Sequence, residues 1–459
     1  MDPVFKTFKT LNGYYVFDRS RNAILKISEQ EFELLNQNDR ELIAQIQKKG
    51  YLNENRIKEI KHLNNDDLEF YLNNNMEKLI IQLTQNCNLK CSYCPYNGTY
   101  ENRSYSNKKI NLETIKKSID YFLAHSQSTK QIAVAFYGGE PLLEMDLLKS
   151  AVEYIRQVSA GRDVYLTLTT NGTLLNDDNI EYFQQNEIYI SVSLDGSKEF
   201  HDANRVFHNG KGSFDVIMEK LFHIKQKYPV FFSQLSINSV INTNNNLSCS
   251  IEFFNAEEVL DQVTLQMNKV SELNALNEVD YNEEFKMIDD YEVYKSFLNM
   301  LGSISDHHVS RLYQLHKGSV NIVYKTLRPF EIKGKELHVS GQCMPGVSRL
   351  MVDVEGNFYP CERVSEKSKI MNIGNVEQGI DVEKSRYLLN IGKLTEQDCI
   401  NCFATNMCKM CIAWVDGDIE LSVQKKRKHC DKVKKEIIKE IRLITILKEL
   451  GYNFEGAQY

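Results

Sequence analysis

The sequence predicts an α/β protein: a partial (β/α)6 barrel, preceded by a small winged-helix-like module and followed by a cysteine-rich region. Three observations carry this expectation. Between residues 78 and 270, short apolar runs alternate with longer helical patterns, as repeated βα units on a parallel sheet require. The first 75 residues hold a hairpin pattern and short helical patterns. Seven of the eleven cysteines fall between residues 343 and 430, where long regular patterns are scarce. A chain of 459 residues exceeds one ordinary core and implies two or three domains.

Taken in order, YYVFD at 14–18, the polar turn RSRN and AILKI at 23–27 read as a hairpin. Ser28 with Glu31 forms a capping-box pattern ahead of an apolar helical face. A second helix, 41–49, stops at Gly50. The asparagines at 73–75 read as a linker, which sets a module boundary at 1–75. The barrel segment, 76–270, has strand candidates at 79–83, 132–137, 164–169, 188–194, 235–241 and 263–267, with helices at 112–123 and 147–158 between them. In such barrels the active site lies at the C-terminal ends of the strands. Residues 271–342 read as a bridging region with a helical stretch at 291–301. In 343–459, metal rather than a large apolar core is expected to hold the chain, and an amphipathic helix at 431–450 presents Val433, Ile437, Ile441 and Ile444 on one face.

Composition narrows the function classes. Hydrophobic content of 42% and charged content of 25% are those of an ordinary globular protein. A net charge of −7 argues against a general nucleic-acid binder, and the basic run KKRK at 425–428 reads as a solvated face. The first residues, MDPVFKTFKTLNG, have neither the basic start nor the apolar run of a signal peptide. No apolar stretch approaches the ~18 residues of a membrane span. The expectation is a cytoplasmic protein, a compartment that keeps thiols reduced, so clustered cysteines point to metal or redox chemistry.

Cys87, Cys91 and Cys94 stand in a CxxxCxxC spacing directly after the first barrel strand. Three thiolates on one short loop hold three irons of a 4Fe–4S cluster and leave the fourth open. Zinc, by contrast, takes four ligands in a structural site. Further motifs end the next strands: Tyr137-Gly138-Gly139-Glu140-Pro141, then Thr170-Asn171-Gly172, then Ser193 and Asp195 in SVSLDG, followed by the HDANR segment ending at Arg205. In this order the motifs resemble those of the radical S-adenosylmethionine (SAM) superfamily. The resemblance implies SAM on the open iron and its cleavage to a 5′-deoxyadenosyl radical. It further implies Glu140 at the SAM ammonium with Gly138 and Gly139 allowing close approach, Ser193 at the ribose or carboxylate, and Arg205 at the carboxylate. Tyr93 would lie near the adenine, with Asn171 and Asp195 also around the cofactor.

The second cysteine region reads Cys343-x12-Gly356-x4-Cys361, then Cys399-x2-Cys402-x5-Cys408-x2-Cys411, then Cys430. This resembles the SPASM extension of radical SAM enzymes, except that two residues stand before Cys411 where the family commonly has three. The resemblance implies an outer 4Fe–4S cluster on Cys399, Cys402, Cys408 and Cys430, and an inner one on Cys343, Cys361 and Cys411, giving three clusters in all. The position that supplies the inner cluster's fourth cysteine in fully ligated members is Leu337 here. The inner iron is therefore open unless His338 or Cys249 completes it. An open iron can take a substrate thiolate, a route to a thioether crosslink.

The amino-terminal module is similar to leader-peptide recognition elements of peptide maturases, which add a peptide strand to a sheet edge. With CSYCPYNGTYENR around the first cluster, it points to maturases of ribosomally made peptides of the thioether-forming, ranthipeptide type. The implied partners are a precursor peptide and a reductant such as a flavodoxin or ferredoxin, with no nucleic acid and no membrane. Alternatives are carbon–carbon crosslinking, dehydrogenation, or sulfatase maturation, in whose relatives an acid at the position of Glu362 resembles a general base. A non-catalytic iron–sulfur electron carrier is the alternative of another class; it has no need of the SAM-side motifs.

Overall fold

A computed structural model describes residues 2–455 apart from 160, 243–245, 278 and 340. The strands Lys78–Thr84, Gln131–Gly138, Asp163–Thr170, Ile188–Ser193, Ser236–Ile241 and Thr264–Lys269 lie side by side in chain order, and every adjacent pair is parallel. Each of the six falls on a run expected from the sequence. The first is buried at every position after Lys78, as befits a strand covered on both faces. Helices Leu112–Ala124 and Met145–Val158 cover the sheet through Ile115, Ile119 and Phe122, and through Leu148, Val152 and Ile155. The last strand is an open edge, exposed at four of its six positions.

The sheet does not stop at residue 270. Leu350–Val352 pairs in parallel with the first barrel strand, Leu350 opposite Leu79, and three antiparallel strands, Asn357–Tyr359, Gly374–Asn375 and Gly379–Ile380, continue from it. Residues 343–430 are thus not held by metal alone. Val347, Leu350, Met351, Val352, Phe358 and Ile373 are fully buried and belong to the same apolar core as the barrel.

The amino-terminal segment forms a three-stranded antiparallel sheet, Phe5–Lys9, Tyr14–Asp18 and Ala23–Ile27, with helices Glu29–Asn36 and Arg40–Lys48. Both halves of the Ser28–Glu31 capping box are made, and Gly50 takes φ +86° at the exit of the second helix, a value that suits glycine. Val16, Leu35, Leu42, Ile43, Ile46 and Leu52 form a small core of their own. One reading of polar residues fails here, and one polar turn has an added role. The asparagines at 73–75 are not a linker: Asn73 and Asn74 belong to helix Leu68–Asn74, which Leu68 and Leu72 fix by burial. The turn RSRN forms as read, but Arg19 and Asn22 are buried, and the Arg19 guanidinium donates to the carbonyls of Ile400 and Cys402 and to Asn55 Oδ1. The turn therefore docks the amino-terminal sheet on the second cysteine region.

The final helix runs Val423–Glu449, starting eight residues before the expected start at 431. Cys430 and the basic run 425–428 consequently lie on the helix, and Lys426 is buried, 1% exposed. The solvated-face reading of the run is wrong at that position. No described helix is long and apolar enough to cross a membrane.

Candidate functional site

The motif residues gather at the C-terminal ends of adjacent parallel strands. Chain connectivity forces this, because the loops after Thr84, Gly138, Thr170 and Ser193 all leave the same end of the sheet. The loops then clamp one another. Gly139 N donates to Thr84 O and Glu140 N to Asn86 O, each at 2.9 Å. Neither glycine tolerates a side chain: a Cβ on Gly138, where φ is +142°, would lie 2.2 Å from Thr84 O, and one on Gly139 would lie 2.2 Å from Asn86 O and 3.2 Å from Cys87 Cβ. The glycines seat the second strand's loop against the start of the cysteine loop.

Glu140 lies beneath this contact, 1% exposed. Its Oε1 accepts from Thr170 Oγ1 at 2.7 Å and Leu142 N at 3.0 Å, and its Oε2 from Asn171 N at 2.8 Å. Burial raises its pKa and these donors oppose the rise. Asn171, so anchored, turns its amide toward Cys87 Sγ at 3.8 Å and Asn88 Oδ1 at 2.8 Å.

The HDANR segment closes the other side. Arg205–Phe207 pairs antiparallel with Leu89–Cys91, Arg205 opposite Cys91. The buried Arg205 guanidinium donates through Nε to Asp195 Oδ2 at 3.0 Å, points Nη1 at Cys91 Sγ at 3.9 Å, and lies 5.3 Å above the Tyr93 ring. The Tyr93 hydroxyl donates to the same Asp195 oxygen. Asp195 is therefore more than a turn residue; it orients both Tyr93 and Arg205. His201 Nδ1 accepts from Asp195 N at 3.3 Å, which leaves the proton on Nε2 facing Ser213 Oγ at 2.9 Å, and Ser213 in turn donates to Arg205 O. Burial pushes the His201 imidazole down to about 3, so it stays neutral. Ser193 is buried at the end of its strand, opposite Asn238.

The thiols fall into three groups. Burial pushes Cys87 and Cys91 up to about 12 and raises Cys94, and repulsion from neighbouring thiols of the same loop adds to the rise at Cys87 and Cys91. In the second region burial raises Cys361 and Cys411; Glu362 and then Cys411 add to the rise at Cys361, and Cys343 adds to it at Cys411. Burial likewise pushes Cys408 up to about 12, and Cys402, Cys399 and Cys430 add to that rise. The family resemblance assigns these thiols to a first, an inner and an outer cluster. No three His, Cys, Asp or Glu side chains among the described residues converge on a single-ion geometry; a 4Fe–4S cube spreads its thiolates more widely than one ion does. The first loop fits such a cube chemically: three thiols, a glycine-lined floor, and N–H donors of Asn171 and Arg205 aimed at sulfur. A bound cluster supplies the positive charge that keeps buried thiols deprotonated.

Neither proposed fourth ligand of the inner set contacts it by hydrogen bond or ring packing among the described residues. The His338 ring lies edge-on to His62 at 5.6 Å, and Cys249 sits on helix Leu247–Ala256 beside the barrel. Leu337 pairs with Ile60 in a two-residue strand. Glu362 is not a free surface acid: its Oε1 meets Arg349 Nη1 at 2.7 Å, while Oε2 is buried without a partner.

Sequence reasoning missed Arg103. Its buried guanidinium joins the cysteine loop to both the barrel and the second cysteine region: Nε to Glu366 Oε1 at 2.6 Å, Nη1 to Tyr137 Oη at 3.0 Å and Nη2 to Glu362 O. Gln82 Nε2 also donates to Glu366. Nothing local marks Arg103, because its partner lies 263 positions away.

Residues 81–247, which hold these strand ends and the first cysteine loop, match the model of the radical SAM superfamily. The chain has homology to anaerobic sulfatase-maturating enzymes. It is 33% identical over 189 residues to the cysteine-type anaerobic sulfatase-maturating enzyme of Clostridium novyi (strain NT), covering 40% of this chain and 49% of that one. The match therefore spans about half of that relative's length. Over 344 residues it is 24% identical to the cysteine-type enzyme of Clostridium perfringens (strain ATCC 13124), covering 72% of this chain and 87% of the other. The solved structure of native anSMEcpe with bound AdoMet and Kp18Cys peptide shares the fold, with TM-score 0.57 at 22% identity over 81% of this chain and 99% of that chain.

Proposed function

We propose that this chain is a radical SAM enzyme that oxidises or crosslinks a side chain of a peptide. The observation that carries the reading is the floor of the first site: Gly138, Gly139 and Glu140 locked under Cys87, with Asn171 and Arg205 facing the thiols. With a 4Fe–4S cluster on Cys87, Cys91 and Cys94, the site would supply the electron that cleaves SAM to a 5′-deoxyadenosyl radical, the hydrogen-abstracting agent. Arg205 and Ser193 would hold the SAM carboxylate and ribose, Glu140 its ammonium, and Tyr93 its adenine. Glu362 Oε2, buried and unpartnered, would accept the proton that the oxidised side chain releases, and Arg349 would hold the carboxylate in place.

Homology supports a maturation of the kind the relatives are named for, oxidation of a cysteine in a sulfatase. The family resemblance supports a second outcome, a thioether in a ribosomally made precursor: with the inner cluster on Cys343, Cys361 and Cys411 and Leu337 at the fourth-cysteine position, a substrate thiol would complete the set. The free edge of Ala23–Ile27, which among the described strands pairs only with Tyr14–Asp18, would receive a leader segment.

The test is anaerobic reconstitution with SAM, a reductant and candidate peptides. Loss of two hydrogens with a cysteine that no longer alkylates marks a thioether. An aldehyde at the cysteine position marks sulfatase-type maturation, and loss of two hydrogens with alkylatable cysteines marks a carbon–carbon bond. Absence of 5′-deoxyadenosine with all clusters loaded would leave the electron carrier as the function.

A further inference from the structure

The basic run on the final helix hides one cation inside the protein. Lys425 Nζ donates to Asp416 O, and Arg427 stays at the surface with Asp398. Lys426 instead turns inward and is 1% exposed. Its ammonium has two partners, Thr395 Oγ1 and the sulfur of Cys399 at 3.2 Å, and no carboxylate pairs with it among the described residues. Thr395 Oγ1 also lies 3.7 Å from the same sulfur. A buried ammonium without an anion is strongly unfavourable, so the site needs a negative charge that the protein side chains do not provide. The Cys399, Cys402, Cys408 and Cys430 thiols lie within electrostatic reach of one another, and a four-thiolate iron–sulfur cluster on them is an anion.

We propose that Lys426 is the internal counter-charge of the outer cysteine set, donating to the Cys399 thiolate and holding the bound cluster at a raised reduction potential. Hydrogen bonds to cluster sulfur and nearby positive charge both favour the reduced, more negative state. One-electron reduction of the cluster places its added charge beside a fixed ammonium. The inner set has no buried counterpart: Arg349 is already paired with Glu362, and Arg363 beside Cys411 is exposed, where solvent screens its charge. Electrons released at a substrate would therefore come to rest on the outer set. The inference depends on the reading that these four cysteines bind a 4Fe–4S cluster.

The experiment uses the full-length chain, reconstituted anaerobically, with Cys87, Cys91 and Cys94 changed to Ala so that only the second region contributes. The signal lost in Cys430→Ala identifies the outer cluster, and its midpoint is read by potentiometric titration with electron paramagnetic resonance. Lys426→Met is expected to make reduction of that cluster about tenfold less favourable, about 59 mV for one electron. Lys426→Arg, which keeps the charge, is expected to stay near the parent. Thr395→Val, which frees the ammonium without removing it, is expected to shift the midpoint the same way by less, and decides the matter if Lys426→Met loses its iron. An intact outer cluster with an unchanged midpoint in both Lys426→Met and Thr395→Val overturns the role of Lys426. Iron content that does not fall in Cys430→Ala overturns the cluster reading itself, and the inference with it.

Discussion

The first cysteine loop and the second cysteine region hold their sulfurs by different means. Around Cys87, Cys91 and Cys94, short-range backbone contacts do the placing: a three-residue antiparallel pairing with 205–207, a glycine floor, and N–H donors brought by adjacent strand ends. Around the second set, distant elements converge: a turn of the amino-terminal sheet at Cys402 and the first turn of the final helix at Cys399. The first loop is a rigid socket fixed by the sheet's topology. The second is a junction where three parts of the chain meet, and its charge environment can be set independently of the barrel.

Removing the glycine floor is the harshest way to break this contrast. Gly139→Ala places a methyl 2.2 Å from Asn86 O, so the loop must move. Iron bound by the first set and 5′-deoxyadenosine formation should fall by more than about tenfold, whereas iron in the second region should remain, since overlap with backbone has no flexible side chain to yield. Iron assay of Gly139→Ala in parent and second-region cysteine-to-alanine backgrounds checks it. Equal loss from both regions would mean that they are not independently built.

Next in size is the tie between the regions. Arg103→Met leaves Glu366 buried without its cation, a loss of about 3–5 kcal/mol for a broken buried pair. Thermal unfolding should begin at a clearly lower temperature, and Glu366→Gln added to Arg103→Met should recover part of the loss because the stranded charge is gone. If the double variant is no more stable than the single one, the pair is not what joins the loop to the second region.

The smallest effect is a pH dependence confined to the socket. The His201 imidazole is held at about 3 by burial, against about 6.5 in an unfolded chain. Between those values the unfolded state binds more protons, so stability rises with pH and is lost on acidification from near 6.5 toward 3. From pH 7 to 5 this one group accounts for about 2 kcal/mol. Denaturant unfolding at the two pH values should show a smaller difference in His201→Gln, and an undiminished slope would remove His201 as its source.

How much of this was legible in the sequence follows from the same contrast. The six barrel strands and the Ser28–Glu31 cap could be read because alternation and capping are local signals. So could the motif residues, whose place at strand ends follows from the βα order. Arg103 and Lys426 could not: each is a charge in a polar stretch, and its burial depends on a partner or a fold contact tens to hundreds of positions away. Nor could the buried RSRN turn, since composition reports what a turn can do and not what packs on it. One strand of the second region could not be read for a related reason. The three-residue strand Leu350–Val352 is too short to show a period, but pairing with Leu79–Ile81 gives it a place in the sheet.

The decisive measurement is 5′-deoxyadenosine formed from SAM by the anaerobically reconstituted chain under a low-potential reductant, set against the same chain with Cys87, Cys91 and Cys94 changed to Ala. Steady formation by the first and none above background by the second is the outcome expected of a cluster socket at the barrel mouth. Equal formation by both, or none by a fully loaded parent, would contradict it.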